Sequence, residues 1–125
     1  MRAIYDGWRA GDFNARLDLW DPDAVLVLNP EFPDAGTYVG LAQISGYMRQ
    51  FLEPWVELTI EPGELIAGDG VVVAEVYQRG AGRESRLATE FTYFQVWTLR
   101  AGKVVRLETI RERADALKTA GLPTA

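Results

Sequence analysis

The sequence predicts an α+β fold in which one antiparallel sheet packs against helices near the N-terminus. Two observations predict it: the order of helical and extended segments along the chain, and the alternation of side-chain types in its last third. The length of 125 residues, 48% of them hydrophobic, is enough for one core and too short for two. We therefore expect a single domain over residues 1–125.

The first half of the chain mixes helical and extended patterns. Apolar residues in Ala3–Trp20 recur about every three to five positions, as in a helix, and Gly11-Asp12 divides this stretch into two short helices with Asp12 as an N-cap. Ala24–Asn29 predicts a strand, and the proline-containing segment after it predicts a loop. Leu41–Phe51 predicts the next helix.

The second half predicts four strands and a closing helix. The strands are Trp55–Ala67, Val71–Gln78, Leu87–Leu99 and Lys103–Arg111, and the helix is Ala114–Ala120. Asp69-Gly70 and Arg100-Ala101-Gly102 are typical hairpin turns.

Alternation along the last two strands separates an aromatic face from a mixed face. With a three-residue turn, the predicted pairs are Leu99–Lys103, Trp97–Val105, Gln95–Leu107, Tyr93–Thr109 and Phe91–Arg111. We expect this aromatic face to be concave. The opposite face carries Phe94, Val96 and Ile110, and a sheet with apolar residues on both faces needs two coverings, which predicts a homodimer through that face.

Composition excludes several functions. The chain has no Cys and no His, which removes thiolate and serine–histidine chemistry and the commonest metal ligand. The net charge of −5 makes nucleic acid an unfavourable partner. We find no apolar run of about 20 residues and no signal peptide, so we expect a cytoplasmic protein with no membrane partner.

The stretch Phe91–Leu122 (FTYFQVWTLRAGKVVRLETIRERADALKTAGL) combines two alternating strands, a tight turn and a short helix. Together with AGDFNARLDLWDPDAVL and the glycine-led GLAQISGYM, it resembles the SnoaL-like branch of the nuclear transport factor 2-like superfamily over Tyr5–Leu122. The resemblance implies a cone-shaped, curved sheet around a ligand pocket. It also implies a family that includes isomerases, cyclases, hydrolases and non-catalytic members, and that commonly forms dimers.

The catalytic patterns of the enzyme relatives do not carry over. The resemblance to steroid isomerases places Asn29-Pro30 where those enzymes have Asp-Pro. The resemblance to limonene-type epoxide hydrolases places Glu75, Tyr77 and Thr109 near their arginine and two aspartates, and matches only the water-positioning asparagine, at Asn29. SnoaL-type cyclases use an Asp with a nearby His, and this chain has no histidine.

Glu75 is the candidate base, because its strand is otherwise apolar and burial raises the pKa of a carboxyl group. Arg111 either binds a substrate oxygen or pairs with Glu75 or Glu112, and a tight pair would make Glu75 a structural residue. A solvated position for Glu75 is the other alternative. Tyr77 either donates to a ligand or forms part of the wall, and Asn29 either orients water or starts a turn.

The expected pocket lining is largely aromatic and aliphatic: Trp8, Phe51, Trp55, Phe91, Tyr93, Gln95, Trp97, Leu107 and Thr109. Such a pocket suits a small apolar ring compound with one or two oxygens. We expect either a cofactor-independent enzyme that isomerises, cyclises or adds water by carboxylate acid–base chemistry, or a non-catalytic binding or dimeric scaffold module. No metal and no cofactor are expected.

Overall fold

The computed structural model describes residues 2–9, 17–29, 35–53, 55–84 and 86–123. In chain order the elements are helix α1 (Arg2–Arg9), a 3₁₀ helix (Leu17–Leu19), strands β1 (Trp20–Leu28) and β2 (Gly36–Val39), helix α2 (Leu41–Leu52), strands β3 (Trp55–Ala67), β4 (Val71–Gly82), β5 (Ala88–Arg100) and β6 (Lys103–Ile110), and helix α3 (Arg113–Thr119).

The strands form one six-stranded sheet in the order β2-β1-β6-β5-β4-β3. The predicted α+β class, with a curved sheet packed against helices, is confirmed. One pairing differs from the expected antiparallel arrangement: β1 runs parallel to β6, whereas the other four pairings are antiparallel. Parallel strands cannot be joined by a hairpin and need a long connection. Here the connection consists of β2, α2, β3, β4 and β5, which lie between β1 and β6 in the chain.

Element bounds differ from the predicted ones in both halves of the chain. β4 extends four residues past its predicted end, to Gly82, and β5, β6 and α3 differ by one residue at one or both ends. β1 begins at Trp20, four positions before the predicted start, and β2 occupies part of the segment predicted as a loop. The predicted N-cap at Asp12 lies outside the described residues. α2 and β3 agree with the predicted segments, except that α2 extends one residue further, to Leu52.

The β5–β6 register differs from the predicted one by two residues. Ala101 (φ 52°) and Gly102 (φ 79°) both have positive φ, so they form a two-residue turn and Arg100 pairs with Lys103. A bulge at Val105 then shifts the register again, and Trp97 pairs with Leu107. Because the total shift is even, the division into two faces at Trp97 and beyond is the predicted one.

Two apolar clusters lie on the two faces of the sheet. The inner cluster contains α1 and α2 residues together with the aromatic face, including Tyr5, Trp8 and Trp97. The outer cluster is covered by Ala116 and Leu117 of α3. Its members include Phe94, Val96 and Ile110, which are 7%, 3% and 2% exposed. The residues expected at a dimer interface are thus covered by the chain's own helix, and homodimerisation stays a prediction.

Candidate ligand cavity

A cavity of 840 Å³ opens between the inner face of the sheet and the helices. Its wall is formed mainly by aromatic and aliphatic side chains from α1, α2 and every strand except β2. It is lined by Trp8, Leu17, Trp20, Leu26, Leu28, Ile44, Ser45, Tyr47, Met48, Gln50, Phe51, Trp55, Ile60, Gln78, Gly82, Glu90, Phe91, Thr92, Tyr93, Gln95, Leu107, Thr109 and Arg111.

Most residues predicted to line a pocket are placed at this cavity. They are Trp8, Phe51, Trp55, Phe91, Tyr93, Gln95, Leu107 and Thr109. Trp97 is the exception, because it is 0% exposed and packs behind the wall against Trp8 and Trp20 at ring-centroid distances of 5.9 and 5.6 Å. Its role in the structure is therefore to support the wall.

A relay of hydrogen bonds joins helix α1 to strand β5 beside the cavity. Nε1 of Trp97 donates to the hydroxyl of Tyr5 at 2.8 Å, and that hydroxyl donates to Oε1 of Gln95. Tyr5 is held by edge-to-face contacts with Trp8 (5.4 Å) and Trp97 (5.5 Å). Gln95 is 5% exposed and pairs across the strands with Thr109, another cavity residue.

A second tyrosine–glutamine pair lies further along the same wall. The hydroxyl of Tyr93 donates to Oε1 of Gln78 at 2.9 Å, and both residues are buried. They lie on neighbouring strands, where Tyr93 is opposite Val76, two residues before Gln78. Gln78 therefore has the same arrangement as Gln95, with its carbonyl oxygen bonded to a tyrosine.

Burial raises the pKa of both tyrosines. The largest cause at both Tyr5 and Tyr93 is that burial removes the hydration of the phenolate form. At Tyr5 the hydrogen bond from Trp97 opposes this rise, and nearby Tyr93 adds to it. Both hydroxyls consequently stay protonated and remain hydrogen-bond donors.

These bonds leave the amide nitrogens of the two glutamines available to the cavity. Within the described residues, Nε2 of Gln78 and Nε2 of Gln95 have no hydrogen-bond partner, and neither is sealed from open space. Since each amide nitrogen carries two protons, the apolar wall presents donors at two separate points. Such donors complement carbonyl, ether or phenolate oxygens.

Charged residues of the cavity lie toward its exposed edge. Arg111 and Glu90 both line it, and both are exposed. Arg111 forms no ion pair with Glu75 or with any other described residue. Of the alternatives for Arg111, the ion pairs with Glu75 and with Glu112 are therefore both absent from the described residues.

The other candidate catalytic residues lie away from the cavity. Glu75 and Tyr77 are on the outer face of β4, because Ala74, Val76 and Gln78 occupy the inner one. There Tyr77 donates its hydroxyl proton to Oε1 of Glu75, and this bond with the negative charge of Glu75 raises the pKa of Tyr77. Asn29 follows Leu28 at the end of β1 but is not among the lining residues.

The expected role of Glu75 as a base requires it to face the pocket, but Glu75 lies on the outer face of β4, and the sequence does not show this because both faces of the strand are apolar. Val71 and Val73 resemble inward-facing residues, yet Val73 belongs to the outer cluster under α3. The inner face contains the strand's polar Gln78. Sequence reasoning missed both Gln78 and Tyr5. For Tyr5 the available signal was its helical spacing of three residues from Trp8, whereas alternation along β4 does not indicate which face is the inner one, so it gave no signal for Gln78.

Within the described residues, no group of three or more Asp or Glu side chains is arranged to hold a metal ion. Among the described residues, none of the helices has both the length and the apolar composition that a membrane span requires.

Comparison with solved structures identifies the fold. An NTF2-like protein from Burkholderia thailandensis is 24% identical with a TM-score of 0.80, covering 98% of this chain and 94% of that one. TerC, co-crystallised with polyporic acid, is 22% identical with a TM-score of 0.77, covering 96% and 94%. A SnoaL-like polyketide cyclase, assigned as such by similarity, from Jannaschia is 15% identical with a TM-score of 0.76, covering 98% and 89%. The fold is thus that of the NTF2-like proteins.

The family follows from the sequence itself. The SnoaL-like domain model matches residues 1–107, and the chain belongs to this family. No curated protein matches it.

Proposed function

We propose that this protein binds a small, mostly apolar ring compound that carries hydrogen-bond-accepting oxygens. The observation that carries the proposal is the pair of glutamines whose amide nitrogens are available to an otherwise largely apolar cavity. Apolar walls with a few placed polar groups are typical of ligand sites, and 840 Å³ accommodates a molecule of several fused rings. The similarity to TerC, which was crystallised with polyporic acid, supports a ligand of this chemistry.

Ligand binding is favoured over acid–base catalysis by Glu75, the candidate base that the sequence suggested. Glu75 lies on the outer face, so it has no access to a molecule in the cavity. The carboxylate among the described lining residues is Glu90, and it is exposed. A buried carboxyl group is therefore not among the groups that the described cavity wall provides.

The experiment is a titration with matched probes. The fluorescence of Trp8, Trp20 and Trp55, which line the cavity, should be quenched saturably by 1,4-naphthoquinone and by polyporic acid. Naphthalene has the ring size of the quinone without its oxygens, and should bind more weakly. Quinone addition to thiols does not complicate the assay, because the chain has no cysteine. Absence of saturable binding for every probe would refute the proposal.

An enzyme with Glu90 as the base is the second candidate. Glu90 and Arg111 are the charged residues among the described lining, and together they provide a proton acceptor and a cation for a developing oxyanion. The assay is exchange of the acidic C–H protons of 2-tetralone in D₂O, followed by NMR. If the protein is an enzyme, exchange should be faster than in buffer. This acceleration should be lost in Glu90→Gln and kept in Glu75→Gln. An exchange rate equal to that in buffer would exclude this enzyme activity, and ligand binding would remain as the proposed function.

A further inference from the structure

Tyr5 has two hydrogen-bond partners, Trp97 and Gln95. The bond from Trp97 to the Tyr5 hydroxyl determines how the Gln95 amide is oriented. The indole N–H of Trp97 is a donor only, so it must place its proton on the Tyr5 oxygen. The hydroxyl proton of Tyr5 then needs an acceptor, and Oε1 of Gln95 is the group in contact with it. Tyr5 is 1% exposed, so a proton without an acceptor there would carry a large cost.

The alternative orientation of the amide is therefore disfavoured. If the Gln95 amide turned over, its Nε2 protons would point at an oxygen that already receives the Trp97 proton. The Tyr5 proton would lose its acceptor, while Oε1 of Gln95 would face the cavity. The orientation with the NH₂ group toward the cavity satisfies all three residues.

We propose that Tyr5 is a positioning residue that fixes Gln95 as a hydrogen-bond donor to the ligand. Tyr5 does not line the cavity, so it acts only through Gln95. The ligand class that this arrangement selects has an acceptor oxygen, such as a quinone or ketone carbonyl, opposite Gln95. The inference rests on the proposed function. It adds a reason why the cavity should prefer ligands that carry acceptor oxygens.

The preference comes from fixing the donor before the ligand arrives. In Tyr5→Phe the amide is free to turn Oε1 toward the cavity, where water solvates it. A quinone would then bind only after Oε1 returned to a buried position that lacks the Tyr5 hydroxyl as its donor. The lost bond corresponds to about a tenfold weaker affinity for 1,4-naphthoquinone. Naphthalene makes no hydrogen bond, so its affinity should change by less than about twofold.

The test follows the side-chain amide signals in ¹⁵N-correlated NMR spectra. The chain has four glutamines, Gln43, Gln50, Gln78 and Gln95, and two asparagines, so the side-chain amide signals are few, and that of Gln95 is assigned by its loss in Gln95→Leu. In the natural protein 1,4-naphthoquinone should shift the Gln95 signal, and naphthalene should shift it little. Tyr5→Phe should show the tenfold loss for the quinone alone. Tyr77→Phe removes a hydroxyl from the outer face and serves as the matched control.

The outcomes separate the inference from the proposed function. If the natural protein binds neither probe, the proposed function fails. If Tyr5→Phe binds the quinone as tightly as the natural protein does, the function stands and the positioning role of Tyr5 is overturned. An equal loss for both probes also overturns it, because that indicates general damage to the cavity.

A measurement on the free natural protein tests the inference even if Tyr5→Phe does not fold. With Oε1 directed at Tyr5, the Gln95 amide protons should show weak nuclear Overhauser effects to the Tyr5 ring and exchange with cavity water. Strong effects between the Gln95 amide protons and the Tyr5 ring protons would show the reverse orientation and overturn the inference.

Discussion

The hydroxyl of Tyr5, in the first helix, donates to Oε1 of Gln95, which lies 90 residues further along the chain. This bond joins α1 to the centre of the sheet, since Gln95 is in β5 between β4 and β6. The same hydroxyl accepts a proton from Trp97. The position of a helix near the N-terminus is thereby linked to the polar group on the cavity wall.

Tyr5→Phe should lower the free energy of unfolding by about 1–3 kcal/mol, because it leaves the buried Trp97 N–H without its acceptor and Gln95 without its donor. Urea denaturation monitored by circular dichroism measures the change. Tyr77→Phe is the control, and should alter stability little because its hydroxyl is on an exposed side chain. Equal stability of Tyr5→Phe and the natural protein would contradict the relay.

Stability should fall at alkaline pH because of the two buried tyrosines. Their pKa values are raised by burial, so above the ordinary tyrosine pKa of about 10 the unfolded chain releases protons that the folded chain keeps. Each such tyrosine stabilises the fold fully below pH 10, and this contribution should decline by about 1.4 kcal/mol per pH unit above it. Unfolding measured from pH 8 to 11.5 should show a shallower decline in Tyr5→Phe and in Tyr93→Phe. An unchanged slope in both variants would argue against burial as the cause.

Glu75→Gln should leave ligand binding unchanged, whereas Gln78→Leu should weaken binding of 1,4-naphthoquinone about fivefold. The difference arises because Glu75 is on the outer face and Gln78 lines the cavity, where it offers one hydrogen bond. Fluorescence titration of the two variants side by side makes the comparison. A loss of binding in Glu75→Gln that is as large as in Gln78→Leu would mean that the two faces have been assigned wrongly.

Leu117→Ala should destabilise the fold by about 2–5 kcal/mol, because Leu117 of α3 is 4% exposed against the outer cluster. Lys118→Ala, on the same helix but exposed, should change stability by less than about 0.5 kcal/mol. Thermal unfolding distinguishes the two.

The same pair of variants bears on self-association. Loosening α3 uncovers Phe94, Val96 and Ile110, so Leu117→Ala should associate more strongly than the natural protein in analytical ultracentrifugation. If the natural protein is a dimer and Leu117→Ala is a monomer, α3 itself belongs to the interface.

The last two strands were largely predictable from the sequence, because alternation reports directly which side chains share a face. The faces of Trp97 and Leu107 are correct, although the register is not. The register depends on whether Ala101 adopts positive φ, which is rare for a residue with a Cβ and cannot be read from its identity. The bulge at Val105 likewise cannot be read from the identity of the residue.

The candidate site was predictable in its apolar wall and in the polar residues Gln95 and Thr109, but not in Gln78 or in Tyr5, the hydrogen-bond partner of Gln95. β4 has valines on both faces, so its sequence does not reveal that α3 covers the side with Glu75. The Tyr5–Gln95 contact joins segments far apart in the chain, and only the assembled sheet and helix bring them together. The parallel pairing of β1 with β6 is a tertiary outcome of the same kind.

The central claim, that the cavity holds an oxygenated apolar molecule through the amides of Gln78 and Gln95, is tested most directly by a crystal structure with 1,4-naphthoquinone. We expect the rings against the aromatic wall and a carbonyl oxygen about 3 Å from Nε2 of Gln95 or Gln78. A quinone bound on the outer face beside Tyr77, or one in the cavity with both oxygens far from these amides, would contradict the claim.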